Sequence, residues 1–454
     1  MSDPKFQKNI LQSAQQTGEC KGESKTKKDF SLFLSAFGGF TAVKSFIPEA
    51  EYMNPALKAA CSIFLTDSRF KEKRMNLAIE LEGWIELLNS GKNTPSEFVE
   101  ECRRKEAGYQ QLLNNGITAA LEETRDLETA YRVLDSFFNN AGTDKATNLR
   151  LINVRKKDIA DPHSEFAGEV SQLLKNAFDR LSLKDSYSLM VIPGYVFQDK
   201  PTLLRWAEIA FKYKVLLITD HADETTPEDL RKKTQEYHDS DQALQNVVMT
   251  VNWIVGRESE KLSEVEKEDS ALFIPPSGAL AGKLYDESIN MAQGAGGKRY
   301  GTLYGVPGVR NDLFKAEIVE LMENQVIPMV FSDGRVLAFN NNTLYSGDND
   351  AMKEYPIVRV FDWIKKVLMN YVHEVALENW DYNSPENLKN KIQDFLNQYQ
   401  GYGNLFQRYD IKEPQQDPVT KRITVSISLT PYYAAKNFII KLAADKKTKE
   451  CETE

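Results

Sequence analysis

Three side chains of metal-binding types follow a predicted buried strand. Asp220, His221 and Asp223 come directly after the apolar residues 215–219. Polar groups at the carboxyl end of a parallel strand often bind ligands, so these residues predict either a metal site or a polar loop. Residues 226–229 (TPED) are typical of a helix start, which favours the polar loop that leads into a helix.

Two glycine-rich stretches resemble phosphate-binding loops at first sight. They are residues 294–299 (GAGGKR) and residues 278–284 (GALAGKL). Neither has the GxxxxGK[ST] spacing, and no GxGxxG follows a strand and opens a helix. We therefore interpret both stretches as flexible loops and expect no cofactor.

Catalytic patterns of further kinds are missing from the sequence. There is no GxSxG motif, and the four histidines offer few anchors for a catalytic triad. Cys20, Cys61, Cys102 and Cys451 lie far apart without a CxxC pair, which favours reduced thiols over a disulfide framework or a zinc site. The residues point to a binding or structural protein, and an enzyme that uses nucleotide or metal is the alternative.

Composition narrows the class further. The 454 residues carry a net charge of -9 with no basic stripe, so we expect no nucleic-acid partner. No apolar run approaches the roughly 18 residues of a membrane helix, so we expect no membrane insertion. The first residues lack the apolar core of a secretory signal, and we expect the protein in the cytoplasm.

The pattern of elements divides the chain into four parts. Residues 1–28 are polar and predict a flexible arm, residues 29–145 predict helices, residues 146–345 predict an α/β domain, and residues 346–454 predict an α+β domain.

Helical periodicity is strongest before residue 145. One apolar stripe recurs at helical spacing, formed by Leu77, Leu81, Trp84, Ile85 and Leu88. Residues 93–96 (NTPS) predict a break before the next helix, and a third helix is predicted over residues 122–138, ending near residues 139–142 (NNAG).

Strands and helices then alternate. The pattern predicts strands at 149–154, 188–192 and 215–219, and helices at 166–178 and 203–211. This βαβαβ order predicts a parallel sheet with crossover helices. Residues 247–255 predict a further strand, and the charged residues 256–269 predict an exposed linker or a solvated helix.

The remaining elements are predicted by turn and cap signals. Asp333-Gly334 predicts a hairpin between strands 326–331 and 336–339. Helices are predicted at 357–375 and at 384–399, the second with Ser384 as cap and Pro385 in its first turn. Strands are predicted at 438–442 and over four alternating apolar residues, Ile423, Val425, Ile427 and Leu429.

One motif gives the first resemblance to a known family. Residues 272–282 (LFIPPSGALAG) resemble the PPSG-A-(V/L)-AG signature of contractile tail sheath proteins, through Pro275, Pro276, Ser277, Gly278 and Gly282. The prolines predict an extended or turned backbone, Ser-Gly predicts a tight bend, and the small residues that follow allow close packing.

Further segments extend this resemblance in the right order. Residues 128–134 with 149–154, residues 188–197, residues 317–344 and the last hundred residues are similar to the large sheath subunit of the type VI secretion system. The resemblance spans about residues 125–445. It implies a contractile tail sheath fold and a structural protein that is not an enzyme.

The resemblance also implies partners. These are a small sheath subunit that packs with the helical region, copies of the chain itself in stacked six-membered rings, an inner tube, a baseplate and a recycling AAA+ ATPase. The N-terminal arm and the 423–429 strand are candidates for strand addition between neighbouring subunits. For the strand, an ordinary intramolecular sheet is the alternative. Charged positions on the 385–399 helix are expected to face the tube.

Three departures from the family pattern indicate a divergent branch, of the kind associated with Bacteroidetes. No "LTLPR" kind of run precedes the signature, residues 256–270 are short and charged, and residues 294–308 differ from the usual "KAPAN" type of continuation. The sequence is also compatible with the sheath of a phage-like or extracellular injection device, and with a scaffold that never polymerises.

Overall fold

The structure is a computed structural model. It describes residues 66–88, 94–143, 146–147, 149–180, 186–262, 267–269, 271–374, 380–381, 383–417 and 419–434. The chain divides into two units at residues 112 and 113. The predicted arm 1–28, the predicted strand 438–442, three of the cysteines and the side chains of Trp84, Ile85 and Leu88 lie outside the described residues.

Helices begin the described chain. A short 3-10 turn, Ser68–Phe70, leads into α1 (Lys71–Leu88), and α2 (Pro95–Asn140) follows. The predicted break before Pro95 is confirmed, but the separate third helix is wrong, because α2 runs without interruption for 46 residues. After Pro95 the segment contains no further proline, and a glycine inside a helix costs only about 1 kcal/mol, so nothing forces a break.

The second unit begins within α2 and contains the remaining elements. Its further helices are α3 (Lys156–Ala160), α4 (Phe166–Phe178), α5 (Lys200–Tyr213), α6 (Pro227–Thr234), α7 (Ser277–Tyr285), α8 (Gly297–Tyr300), α9 (Lys315–Glu323), α10 (Tyr355–Glu374) and α11 (Ser384–Asn397). Its strands are β1 (Leu189–Ile192), β2 (Leu216–Asp220), β3 (Val247–Val251), β4 (Ile254–Arg257), β5 (Glu260–Leu262), β6 (Lys267–Asp269), β7 (Leu272–Ile274), β8 (Thr302–Leu303), β9 (Ile327–Ser332), β10 (Arg335–Ala338), β11 (Phe406–Ile411), β12 (Gln415–Gln416), β13 (Ile423–Thr424) and β14 (Ile427–Pro431). Two 3-10 turns, Gln242–Asn246 and Asp350–Lys353, complete the unit.

A six-stranded mixed sheet forms the centre of the second unit. Its order is β1-β2-β3-β9-β10-β8, with β1, β2, β3 and β9 parallel and β10 antiparallel to both neighbours. The predicted parallel sheet is confirmed, but its predicted first strand, residues 149–154, is wrong. These residues are assigned to no strand, and no described strand pairs with them.

The predicted hairpin is confirmed in detail. Asp333 has φ 54° and Gly334 has φ 73°, which is the left-handed pair that a type I′ turn requires. The turn sets the register in which Val336 lies opposite Phe331.

Two predictions near residue 250 need correction. The strand predicted at 247–255 is divided into β3 and β4 by Asn252, whose φ is 67° and whose side chain donates to the backbone oxygens of Asn311 and Met329. The charged stretch that follows was predicted as a linker or a helix, but its described residues include β5 and β6, which pair antiparallel.

Both faces of the central sheet are covered. One buried cluster contains Trp206 of α5 with Leu217 and Met249 of the sheet. A second buried cluster places Leu280 of α7 with Ile218. Helices on both faces explain why the central strands β2 and β3 are buried along their whole length.

The C-terminal part has its own core. Ile364 of α10 packs with Leu388 and Ile392 of α11 and with Phe406 of β11. Both predicted helices are confirmed, with a correction to the cap. Ser384 is the first helical residue, and its Oγ bonds to Asp381, so it does not cap the helix from outside.

Candidate functional site

The signature motif forms a helix start. Pro275 and Pro276 link β7 to α7, and Pro276 has helical angles (φ -74°, ψ -14°) immediately before Ser277. The predicted tight bend at Ser277-Gly278 is therefore wrong, because both residues lie in the first turn of α7. Proline before the first turn suits this arrangement, since its fixed φ matches the helix.

The two signature glycines allow α7 to lie against α2. A Cβ on Gly278 would lie 2.6 Å from the backbone oxygen of Val133, and a Cβ on Gly282 would lie 2.3 Å from that of Phe137. The glycines are four residues apart and so share one helix face. The predicted close packing by small residues is confirmed, with α2 as the partner.

The signature serine bonds to a buried carboxylate. The backbone nitrogen of Ser277 donates to Asp220 Oδ1 at 2.8 Å, and its hydroxyl donates to Oδ2 at 2.6 Å. Asp220 also accepts from the backbone nitrogen of Gly194 at 2.8 Å and from the Thr250 hydroxyl at 2.5 Å. The fully buried carboxylate thus joins the ends of β2 and β3, the turn after β1 and the start of α7.

Burial sets the charge balance of this carboxyl group. Removal from water raises the pKa of Asp220 to about 6, and the four donors from Ser277, Thr250 and Gly194 oppose that rise. The group is therefore ionised at neutral pH, where four hydrogen bonds solvate its charge. This arrangement fixes four backbone segments to one another.

The geometry of the same loop favours the polar-loop interpretation over a metal site. Both oxygens of Asp220 are engaged, the His221 ring lies between Tyr195 and Tyr237 with each centroid 5.4 Å away, and Asp223 faces Arg310. No group of three metal-binding side chains occurs within the part of the chain that the structure describes. Burial lowers the pKa of His221.

Neither glycine-rich stretch is a loop of the kind expected. Residues 278–284 lie within α7. In the stretch at 294–299, Gly294 and Ala295 are buried, and Ala295 donates its backbone N–H to the Tyr355 hydroxyl at 2.8 Å. A Cβ on Gly296 would lie 2.2 Å from Asn341 Oδ1, so these glycines serve backbone packing.

The candidate inter-subunit strand is split in two. Ile423 belongs to β13, Val425 lies between the strands, and Ile427 and Leu429 belong to β14. β14 pairs antiparallel with β11, and β13 pairs with β12, each as a two-stranded ladder.

One edge of β14 faces away from β11. Lys412 donates its backbone N–H to Ser426, so these two residues form a hydrogen-bonded pair. Such pairs alternate along an antiparallel ladder, so the backbone groups of Ile427 and Leu429 point outward. Among the described strands, none pairs with that outer edge.

Sequence reasoning missed part of this arrangement. Thr250 and Gly194 gave no signal as partners of Asp220, because each lies tens of residues away along the chain. Arg257 and Glu128 were also missed, and they form an ion pair at 2.7 Å that lowers the pKa of Glu128. The charged positions of α11 were expected to face a tube; its apolar side packs on α10, and what the charged side faces stays a prediction.

Family comparisons decide the identity of the chain. Models described as TssC/VipB-like match it at residues 28–117 (N-terminal region), 119–346 (type VI secretion system TssC/VipB, central domain) and 354–454 (C-terminal domain). The chain belongs to the TssC/VipB family of type VI secretion sheath proteins. It is therefore a contractile sheath component of a structural family and not an enzyme.

Comparison with solved structures gives one match that supports the fold and two weaker matches. A chain of the anti-feeding prophage baseplate is 16% identical with a TM-score of 0.50, over 70% of this chain and 81% of that one. A chain of an extracellular contractile injection system sheath is 14% identical with a TM-score of 0.42, over 56% and 71%. A sheath tail protein of Desulfitobacterium hafniense is 11% identical with a TM-score of 0.35, over 54% and 56%. No curated protein matches the chain.

Proposed function

We propose that this TssC/VipB-family chain pairs with a small sheath subunit and polymerises in stacked six-membered rings around an inner tube, starting from a baseplate. Contraction of the sheath then drives the tube forward in the cytoplasm, and an AAA+ ATPase recycles the contracted form. The match of the family models along almost all of residues 28–454 supports this proposal. The departures in the sequence support a divergent branch, of the kind associated with Bacteroidetes.

The outward edge of β14 is the observation that carries the assembly. A strand from a neighbouring subunit could bond to the backbone groups of Ile427 and Leu429. The N-terminal arm 1–28 is our candidate for the segment that adds as a strand to the sheet of a neighbouring subunit. Contacts of this kind run head to tail and do not close, so they generate a helical filament.

The helical region 29–145 is our candidate contact for the small subunit. On α2, Leu113, Leu127, Tyr131 and Phe138 are exposed large apolar side chains. Tyr131 follows Leu127 by four residues and precedes Phe138 by seven, so the three lie on one face of the helix. An amphipathic partner element would cover this face.

Contraction needs rigid bodies joined by hinges. Each protomer would rotate as such a body, because the cores are buried, the Asp220 network fixes the loop ends of the sheet, and Tyr355 of α10 packs into the core of the central sheet. The exchanged strands would act as the hinges. No bond-making step is required.

Co-expression with the small partner tests the proposal. We expect tubular sheaths by electron microscopy, and we expect Leu429→Pro to abolish them because proline removes an outward N–H. Leu429→Val keeps that N–H and should still form tubes. A chain that is soluble and monomeric alone, and that forms no tubes with its partner under several conditions, would contradict the proposal. Tubes without a small partner would instead favour the sheath of a phage-like or extracellular device.

A further inference from the structure

The middle of α2 has no buried face. Residues 106–113 are all exposed, and eight consecutive residues cover more than two helical turns, so every side of the helix is open there. Among the residues of α2 whose burial the structure describes, Val133 is the first that is buried. A helix in a folded protein takes most of its stability from the face that it packs on a core, and this stretch lacks one.

The boundary between the two units falls at the end of this stretch. The chain divides at residues 112 and 113, although α2 continues through both without interruption. A helix that is exposed on every side is typical of a bridge between two bodies. The middle of α2 therefore connects the first unit to the second through a single helical backbone.

The residues after the boundary weaken the helix. Asn114, Asn115 and Gly116 follow one another, and each has a lower helix propensity than alanine. Glycine alone shifts the helix–coil equilibrium by about fivefold. The Thr118 hydroxyl donates to the backbone oxygen of Asn114 at 2.7 Å, and such side-chain bonds compete with the helical N–H and often bend helices.

Packing does not explain the glycine at position 116. An added Cβ on Gly116 would meet no atom within 4 Å, and the same holds for Gly108 in the exposed stretch. Gly278 and Gly282 differ, because an added Cβ on either would collide with α2. Alanine would fit at position 116 and stabilise the helix, so glycine there favours a role for backbone freedom.

We propose that residues 114–116 are a hinge in α2 about which the first unit swings relative to the second. The helix opens at these three residues and stays intact on both sides of them. In its role this inference rests on the proposed function: the hinge lets the N-terminal helices follow a neighbouring protomer while the cores of the second unit stay rigid.

The distance between two spin labels on α2 tests the hinge in the full chain. Labels at Glu100 and Glu122 lie about 33 Å apart along a straight helix, because 22 residues rise about 1.5 Å each. With the native cysteines replaced by serine, pulsed electron paramagnetic resonance should give a broad distribution that extends well below this distance. The triple variant Asn114→Ala, Asn115→Ala, Gly116→Ala should give one narrow peak near it.

Gly168→Ala is the matched control. Gly168 is an exposed glycine of α4, and an added Cβ there would also meet no atom within 4 Å. This variant should leave the distance distribution broad. Amide hydrogen exchange is the second measurement, and exchange at residues 106–116 should be at least about tenfold slower in the triple variant than in the wild type.

Two results would contradict the proposal. A single narrow peak near the straight-helix distance in the wild-type chain would overturn the hinge itself. A distribution that stays equally broad in the triple variant, with unchanged amide exchange, would overturn its assignment to residues 114–116. Because both measurements use the chain without a sheath, failure of the hinge is distinguishable from failure of assembly.

Discussion

Replacing Gly282 by alanine should destabilise the fold through one contact. The added Cβ would lie 2.3 Å from the backbone oxygen of Phe137 and 2.9 Å from Asn140 Cβ. Real Cβ contacts below 3.0 Å are essentially absent, so α7 and α2 must move apart by roughly 0.7–1 Å. Neither obstacle is the far end of a flexible side chain, so the strain cannot be relieved locally.

The magnitude follows from two opposing effects. Forcing extra volume into a packed core typically costs about 1–3 kcal/mol, and separating the helices also weakens the contacts of Leu280 with its neighbours. Alanine gains about 1 kcal/mol over glycine in a helix. Because the clash is severe and involves backbone, we take the upper end of that cost, about 3 kcal/mol, which leaves a net loss of about 2 kcal/mol in the free energy of unfolding.

Urea unfolding of the full chain, followed by circular dichroism and tryptophan fluorescence, measures this change. Gly116→Ala is the matched control, because Gly116 lies in α2 with no atom within 4 Å of its added Cβ. It should raise stability by about 0.5–1 kcal/mol. A Gly282→Ala protein as stable as the Gly116→Ala protein would refute the reasoning, since propensity alone would then decide both.

Three further predictions concern Asp220 and the ion pair between Glu128 and Arg257. Asp220→Asn should lower the free energy of unfolding by about 3–5 kcal/mol at neutral pH, because the new amide NH₂ must face a backbone or hydroxyl donor. A loss below about 1 kcal/mol in urea unfolding would contradict the role of the Asp220 hydrogen bonds. The folded pKa of Asp220 is raised to about 6 from 3.8, so its ionisation opposes folding as pH rises through 6. Lowering the pH from 7 to 5 should therefore increase the difference in free energy of unfolding between wild type and Asp220→Asn by about 1.4 kcal/mol. Thermal unfolding at the two pH values measures this difference. If it stayed constant, the four hydrogen-bond donors would lower the pKa of Asp220 as much as burial raises it. Glu128→Gln should lower the free energy of unfolding by about 1 kcal/mol, because it breaks the ion pair with Arg257. The pKa of Glu128 is lowered in the folded protein, so this loss should fade as the pH drops below 4.5. A loss that persists in acid would show that packing, and not the ion pair, is responsible.

Much of the fold follows from local pattern. The hairpin at Asp333-Gly334 was predicted because two left-handed residues have few alternatives, and α10 was predicted because its apolar positions repeat at helical spacing. The family was recognised from segments in the correct order. The candidate strand 423–429 was seen as an alternating pattern, but its division into β13 and β14 depends on which partner strand each half meets.

Errors arose where local signals were ambiguous. The apolar composition of 149–154 predicted a strand, yet no edge among the described strands receives it. Ser277-Gly278 has the composition of a turn and also of a tightly packed helix, and only contact with α2 selects the helix. Asp220 and His221 have metal-binding chemistry, but in the structure the carboxylate binds donors from three separate segments and the imidazole lies between two tyrosines.

The sequence alone determined the family, the order of most helices and strands, and the residues that allow close approach. These properties depend on neighbours within a few positions, where periodicity and turn chemistry act directly. The tertiary structure decided which hydrogen-bonding groups pair with one another. The buried carboxylate of Asp220 is held by donors 26 to 57 residues away, and none of the described strands pairs with the strand-forming residues 149–154.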